Sequence, residues 1–199
     1  MIEDQQRWNH RYQSALPGAP RAFLVEMAAL IPLAGRALDL ACGTGAEALW
    51  LAERGLLVDA VDVADAGLAV ARAALAAAGL SPRVRLVHAD LDHGVPPTCQ
   101  GPYQLICALH FRGVVLEQAI MEHLAPNGVV VATRLSVLGR APDPDHGPDP
   151  AFLAGPGELR ELAVRCGLDV LEHREGNGEA LLVALHHRSG VGGGAIEAT

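Results

Sequence analysis

The residues whose types and spacing point most directly to chemistry are Asp39-Leu40-Ala41-Cys42-Gly43-Thr44-Gly45, where an apolar strand runs into a glycine turn and then a helical stretch from Ala46 to Arg54. Glycines at 43 and 45 let backbone approach a ligand closely. With Ala48 they also satisfy the dinucleotide fingerprint and its permitted final alanine, so the turn alone leaves the ligand open. The acids around it narrow the choice. Asp39, four residues before the first glycine, stands at a strand's carboxyl end, where an anion has no use beside pyrophosphate but suits a cationic amine. Asp62 lies 19 residues after Gly43 at the end of the next strand, where a carboxylate can accept both ribose hydroxyls, a use that NAD and S-adenosylmethionine share. Asp90, in His88-Ala89-Asp90-Leu91-Asp92-His93, ends the third strand within reach of an adenine amino group. Asp62 and Asp90 each have a plainer alternative as a cap or turn residue.

These residues need a scaffold that brings several strand ends together. Apolar runs at residues 37–41, 56–63, 84–90, 103–109 and 129–135 read as strands covered on both faces. Helical stretches separate most of them, which is the rhythm of a parallel α/β sheet. In residues 65–78 the apolar positions Leu68, Ala71, Leu75 and Ala78 recur at helical spacing, with Asp65 as expected N-cap and Gly79 and Pro82 ending the helix. Further on, Pro156 to Cys166 reads as a helix with Pro156 in its first turn. LDVLEHRE and EALLVALHH, parted by Gly176, Asn177 and Gly178, then form an antiparallel hairpin that closes the sheet. Upstream of the first strand, QQRWNHRY and RAFLVEMAALI are expected to be helical, and either could cover the sheet's carboxyl end.

Composition excludes several functions. All 15 basic residues are arginine, so Schiff-base, pyridoxal phosphate and P-loop chemistry lack their lysine. A formal charge of −8 argues against a nucleic-acid surface and favours small-molecule partners. Cys42, Cys99, Cys107 and Cys166 have neither C-x-x-C spacing nor paired histidines, and read as buried thiols with no metal site. MIEDQQRWNHRYQ is acidic where a signal peptide is basic, and no apolar run reaches membrane-span length. A cytoplasmic protein with no membrane partner is therefore expected.

On these motifs the chain resembles the class I S-adenosylmethionine-dependent methyltransferases. DLACGTG is similar to their first motif, VDVAD to their ribose motif and HADLD to their adenine motif, and LAPNGVVVATRL to the turn and strand after the fourth crossover. The likeness spans residues 36 to about 186. It extends more loosely to a bacterial small-molecule subgroup similar to tellurite-resistance and thiopurine methyltransferases, through Trp8, Tyr12 and PAFLAGPGELRELA. The resemblance implies an α/β doubly wound, seven-stranded, mostly parallel Rossmann-like sheet with an antiparallel final hairpin. It implies one methyltransferase domain over residues 1–188, with residues 1–32 as a helical cap and 189–199 as a flexible tail. S-adenosyl-L-methionine would be the cofactor. Asp39 would hold its amine, with Ala41, Gly43, Thr44 and Gly45 along the methionine part. Asp62 would clamp the ribose, Val63 would lie on the adenine, Asp90 and the Leu91 amide would read the adenine edge, and Leu109 would face the methionine part. Ala64 and Gln104 stand where the family often has serine and aspartate. Ala108-Leu109-His110-Phe111 lacks the Asn-Pro-Pro-aromatic motif of amino-group methyltransferases on bases and glutamine, which disfavours those acceptors.

The expected activity is methyl transfer to a small acceptor such as a thiol, chalcogenide or phenol. A non-catalytic cofactor-binding module and an NAD-dependent oxidoreductase are the rivals, the latter disfavoured by Asp39 and the hairpin. His110 is the candidate general base, or else a satisfied structural histidine. Trp8 and Tyr12, at i and i+4, are a hydrophobic anchor or a lid over the cofactor. Arg134 meets an anionic acceptor or pairs with an aspartate of the 143–149 loop. His146 in that loop lacks metal-ligand spacing, and the charged residues of 158–165 read as a solvated face.

Overall fold

The computed structural model describes residues 2–140 and 148–187. Seven strands form one sheet: β1 (Arg36–Leu40), β2 (Leu57–Asp62), β3 (Val84–His88), β4 (Tyr103–Ala108), β5 (Leu124–Leu135), β6 (Asp169–Gly176) and β7 (Glu179–Leu185), in the order β3-β2-β1-β4-β5-β7-β6. The first five are parallel, whereas β7 runs antiparallel between β5 and β6. The strand order reverses between β1 and β4, and in such sheets a crevice opens at that point, outside the carboxyl ends.

Alternation along the strands builds two cores. Leu38, Leu40, Ile106, Ala108, Val130 and Ala132 face α5 (Val115–His123) and α6 (Glu158–Arg165). Ala37, Leu105, Cys107, Val129 and Val131 face the other way, toward α2 (Ala22–Glu26), α3 (Ala46–Glu53) and α4 (Asp65–Ala77). Asp39 shares the parity of Ala37 and lies opposite Cys107 in the β1–β4 register. It is therefore a charge on a sheet face otherwise largely given to apolar packing, and Asp62, with the parity of Val58 and Ala60, lies on the same face.

Several boundaries differ from the sequence expectation, each for a local reason. Strand β5 begins at Leu124 rather than residue 129, because Tyr103 pairs with Leu124 across an irregularity in the register. Asp65 lies in the first turn of α4 and Ala64 takes the N-cap position. The helix start is satisfied from elsewhere: the Ala66 N–H donates to Asn9 Oδ1 at 2.9 Å, from α1 (Ile2–Tyr12). Helix α6 starts at Glu158 after Gly157 in the left-handed region (φ 73°), so Pro156 precedes the helix. RAFLVEMAALI breaks into α2 and a 3-10 turn, Ala28–Leu30. The final hairpin turns on Asn177 and Gly178, both with positive φ, the backbone a two-residue hairpin demands. The four cysteines are free and buried. His146 and residues 189–199 lie outside the described residues. Among those described, no helix is long and apolar enough to cross a membrane.

Helix α1 closes over the glycine turn and the start of α4. Gln5 donates to Asp65 at 3.3 Å, and the Tyr12 ring lies across Gly43 and Gly67. A Cβ on Gly67 would come within 2.8 Å of the Gly43 carbonyl oxygen and 3.0 Å of the Tyr12 ring. Gly67→Ala should therefore push α4 off the turn and cost about 2 kcal/mol by overpacking, lowering Tm by roughly 4–8 °C for a domain of this size; a thermal melt showing an unchanged or higher Tm would contradict this packing.

Candidate functional site

The turn after β1 is shaped by three residues in the left-handed region within five positions, Ala41 (φ 60°), Gly43 (φ 54°) and Gly45 (φ 75°). Glycine accepts this conformation freely, whereas for Ala41 it is strain of the kind that gathers at functional sites. The turn is tied to the neighbouring strand end. The Gly43 N–H donates to Asp62 Oδ2 at 2.7 Å and the Ala64 N–H to Oδ1 at 2.8 Å. Burial pushes the Asp62 carboxyl up, and the amides of Ala64, Gly43 and Val63 oppose the rise.

Asp39 has no such relief. It is 2% exposed, and its Oδ2 is buried without a hydrogen-bond partner among the described residues. Burial pushes its carboxyl well above the usual range, with Glu47 on α3 and Asp62 adding to the rise. The same field and burial push Tyr12 up to about 12, with Asp62 the second cause. Three acids thus converge on the glycine turn. The arrangement is an anionic well, costly when empty of cations. S-adenosylmethionine, whose amine and sulfonium are both positive, fits this donor set, and the orphaned Asp39 oxygen is the observation on which the fit rests.

One strand further along the sheet lies a second group. His110 follows β4 in the left-handed region (φ 52°). Its N–H donates to the Oγ1 of Thr133 at 2.9 Å, and Thr133 is fully buried on β5. The His110 ring nitrogen Nε2 meets Glu179 Oε1 at the start of β7. Leu40 pairs with Ala108, so His110 and the glycine turn leave the carboxyl ends of two adjacent strands.

The remaining sequence candidates fall as follows. Leu109 and Leu91 are buried, and the Val63 carbonyl faces His88 Nε2 at 3.0 Å. Strand β3 stops at His88, so Asp90 lies beyond it and caps the 3-10 turn Leu91–His93, accepting the Asp92 N–H at 2.9 Å. Trp8 and Tyr12 stack with centroids 5.7 Å apart, and Arg7 bridges Trp8 and Phe152. Tyr12 reaches the glycine turn, and Trp8 stacks on Tyr12. Arg134 points to the opposite sheet face from Thr133, buried against Glu158, which Arg112 also engages at 3.1 Å. Its partner comes from the helix expected to be a solvated face; of the 143–149 loop, residues 143–147 lie outside the described residues. Sequence reasoning missed Glu47, Thr133 and Glu179. Glu47, two residues after Gly45, reads as an ordinary first-turn acid; nothing local marks the other two. Among the described residues no cluster of three or more histidines, cysteines or acids could hold a metal.

Comparison with known proteins agrees with this geometry. Residues 37–128 match the family model described as a methyltransferase domain. A protein-L-isoaspartate O-methyltransferase from Bordetella avium (strain 197N) is 34% identical over 105 residues, 53% of this chain and 39% of that protein. The chain thus spans about two fifths of the length of this curated relative. Among solved structures, TehB from Haemophilus influenzae aligns with a TM-score of 0.69 and 19% identity over 92% of this chain and 67% of that one. A SAM-dependent methyltransferase from Aquifex aeolicus aligns at 0.63 and 16% over 94% and 98%. The chain has the Rossmann-like fold of S-adenosylmethionine-dependent methyltransferases, and the match to the methyltransferase-domain model falls on its first five strands.

The buried acid carries a measurable consequence. A carboxyl whose folded pKa is raised is neutral at low pH and costs stability as pH rises from its unfolded value, about 3.9. Asp39→Asn removes that cost. Its stability relative to the unsubstituted protein should grow as pH rises from about 4 to neutrality, measured by urea unfolding; a difference that stays flat or shrinks would refute the assignment of Asp39 as an uncompensated buried acid.

Proposed function

We propose that this chain transfers a methyl group from S-adenosylmethionine to a small-molecule acceptor. The observation that carries the reading is the unpartnered, buried Asp39 oxygen beside the glycine turn, with Glu47 and Asp62 strengthening its field. An ammonium placed there is hydrogen-bonded and charge-compensated at once, and such charge-assisted bonds are the strong ones. When bound, the cofactor supplies a methyl group already activated by positive sulfur. The protein's own work is to orient and to exclude water.

Asp39 accepts the amine, and Ala41 to Gly45 lie along the methionine part. Asp62 holds the turn through the Gly43 N–H and accepts from the ribose with its remaining lone pairs. Val63, Asp90 and Leu91 border the adenine, Leu109 the methionine part, and Tyr12 closes the turn from above. Trp8, Tyr12 and PAFLAGPGELRELA support a place near the tellurite-resistance and thiopurine methyltransferases. The acceptor is a thiol, chalcogenide or phenol. Soft anions attack without a base, whereas a phenol loses a proton, and His110 is placed to take it. A net charge of −8 supports a free small molecule over nucleic acid, whose binding rests on counterion release by basic residues.

S-adenosylmethionine and its demethylated product should raise Tm, as ligands of the native state do, while NAD and NADP leave it unchanged; stabilisation by NAD alone would overturn the reading. Transfer of labelled methyl to a panel of thiols and phenols tests catalysis, and binding without transfer would identify a non-catalytic module. Asp62→Ala should weaken cofactor binding tenfold or more by calorimetry, because charge-assisted bonds of about 1.5–3 kcal/mol are lost. It should also destabilise the protein by about 1–3 kcal/mol, since the Gly43 N–H is left buried and unpaired. Unchanged affinity in the folded variant would remove Asp62 from the cofactor site.

A further inference from the structure

The β6–β7 hairpin and α2 border a cleft of about 270 Å³ lined by Phe23, Arg174, Glu175, Asn177, Glu179 and Leu181, which His110 meets through Glu179. It is near the lower end of ligand-site volumes, roughly 300 Å³. Helix α2 joins this cleft to the anionic well. At its start the Arg21 N–H donates to Glu47 at 3.2 Å, and at its end Glu26 pairs with Arg174 at 3.3 Å. Phe23 and Leu181 supply apolar walls. The charges are two acids and one arginine, and that arginine is already shared between Glu26 and Glu172. Glu175 is likewise engaged, by the Gly157 N–H at 2.9 Å and the Ser136 hydroxyl at 3.3 Å. Glu179 alone among these acids faces the histidine.

We propose that Glu179 is the positioning residue of a His110–Glu179 pair that accepts the proton of a neutral hydroxyl acceptor of the phenol class bound in this cleft. The inference rests on the methyltransferase reading and deepens it. With Nε2 against the Glu179 carboxylate, the ring carries its hydrogen there and offers the Nδ1 lone pair. The strained His110 backbone and its tie to buried Thr133 hold the ring against the carboxylate, a constraint of little use to acceptors that ionise unaided. Thiols ionise near neutrality, with reference values of about 8.5 against about 10 for a phenol. The acid-rich cleft also disfavours an acceptor that arrives as an anion. In the transfer step the acceptor oxygen bonds the methyl carbon as the carbon–sulfur bond breaks, with that electron pair staying on sulfur. The hydroxyl proton passes to His110 Nδ1, and Glu179 stabilises the imidazolium.

The test compares the unsubstituted protein with Glu179→Ala, Glu179→Gln, Glu179→Asp, His110→Ala and the double variant His110→Ala/Glu179→Ala. The acceptors are a simple phenol and an electron-poor phenol already ionised at the assay pH, and cofactor binding is followed by calorimetry. Glu179 is 45% exposed, so its variants fold. With the simple phenol, kcat should fall about a hundredfold or more in His110→Ala, as expected for a lost general base, and about tenfold or more in Glu179→Ala and Glu179→Gln, with KM little changed. Glu179→Asp should recover most of the loss. The double variant should be no slower than His110→Ala, and in every variant kcat for the ionised phenol should fall far less than kcat for the simple phenol. Equal losses with both phenols, additive losses in the double variant, or full activity of Glu179→Ala with the simple phenol would each overturn the pair. Cofactor affinity should be unchanged in every variant. Absence of cofactor binding to the unsubstituted protein would sink the methyltransferase reading itself, a failure distinct from any of these.

Discussion

A single carboxylate ties the two strand ends on which the site is built. Asp62 accepts the Gly43 and Ala64 amides together, so the turn after β1 and the start of α4 share one acceptor. Ala41, Gly43 and Gly45 all hold left-handed backbone, a conformation that only surrounding structure can maintain at a non-glycine residue. The tie supplies that structure. It also explains why α4 approaches so closely that Gly67 has no room for a side chain.

Asp39 shows the opposite economy. A buried carboxyl with an unpartnered oxygen lowers the stability of the free protein, and the neighbouring Glu47 and Asp62 deepen that cost. The fold carries it because its two apolar cores, one on each side of the sheet, are continuous beneath the site. A cation relieves the strain in electrostatics that the protein alone leaves in place. Stability and ligand affinity therefore pull in opposite directions at this residue, and the substitution that favours one disfavours the other.

Strand parity divides the carboxyl end of β5 between two roles. Thr133 faces the side of α2 and the cleft, where it anchors the His110 backbone. Arg134, its neighbour, faces α6 and is neutralised by Glu158. Burial lowers the Arg134 pKa, while Arg112, the Gly155 amide and Arg134 together hold Glu158 below its ordinary range despite its partial burial. Arg134 is thus committed to fastening α6 onto the sheet, on the face away from His110 and Glu179.

Much of this was legible from residue order alone. Asp39, Gly43 and Asp62 lie at strand ends that apolar runs and glycines mark locally, and the parallel sheet with its reversed hairpin follows from the spacing of those runs. The absence of lysine and the acidic balance narrowed the chemistry without any coordinates. What residue order left undetermined depends on elements meeting across the chain. Asn9 caps α4 from 57 residues away, and Tyr12 fills the space above Gly43, because α1 docks on a helix start that its own N-cap, Ala64, leaves uncapped. Asp90, placed by sequence at a strand end, became a cap because β3 loses its partner after Asp62. Glu179 is 69 residues from His110, and only the insertion of β7 antiparallel beside β5, with Leu135 opposite Glu179, brings the two together. Local pattern determines which segments are strands and where the chain turns. Which side chains meet is decided by strand order, direction and register, and those are set by how two apolar faces are buried at once.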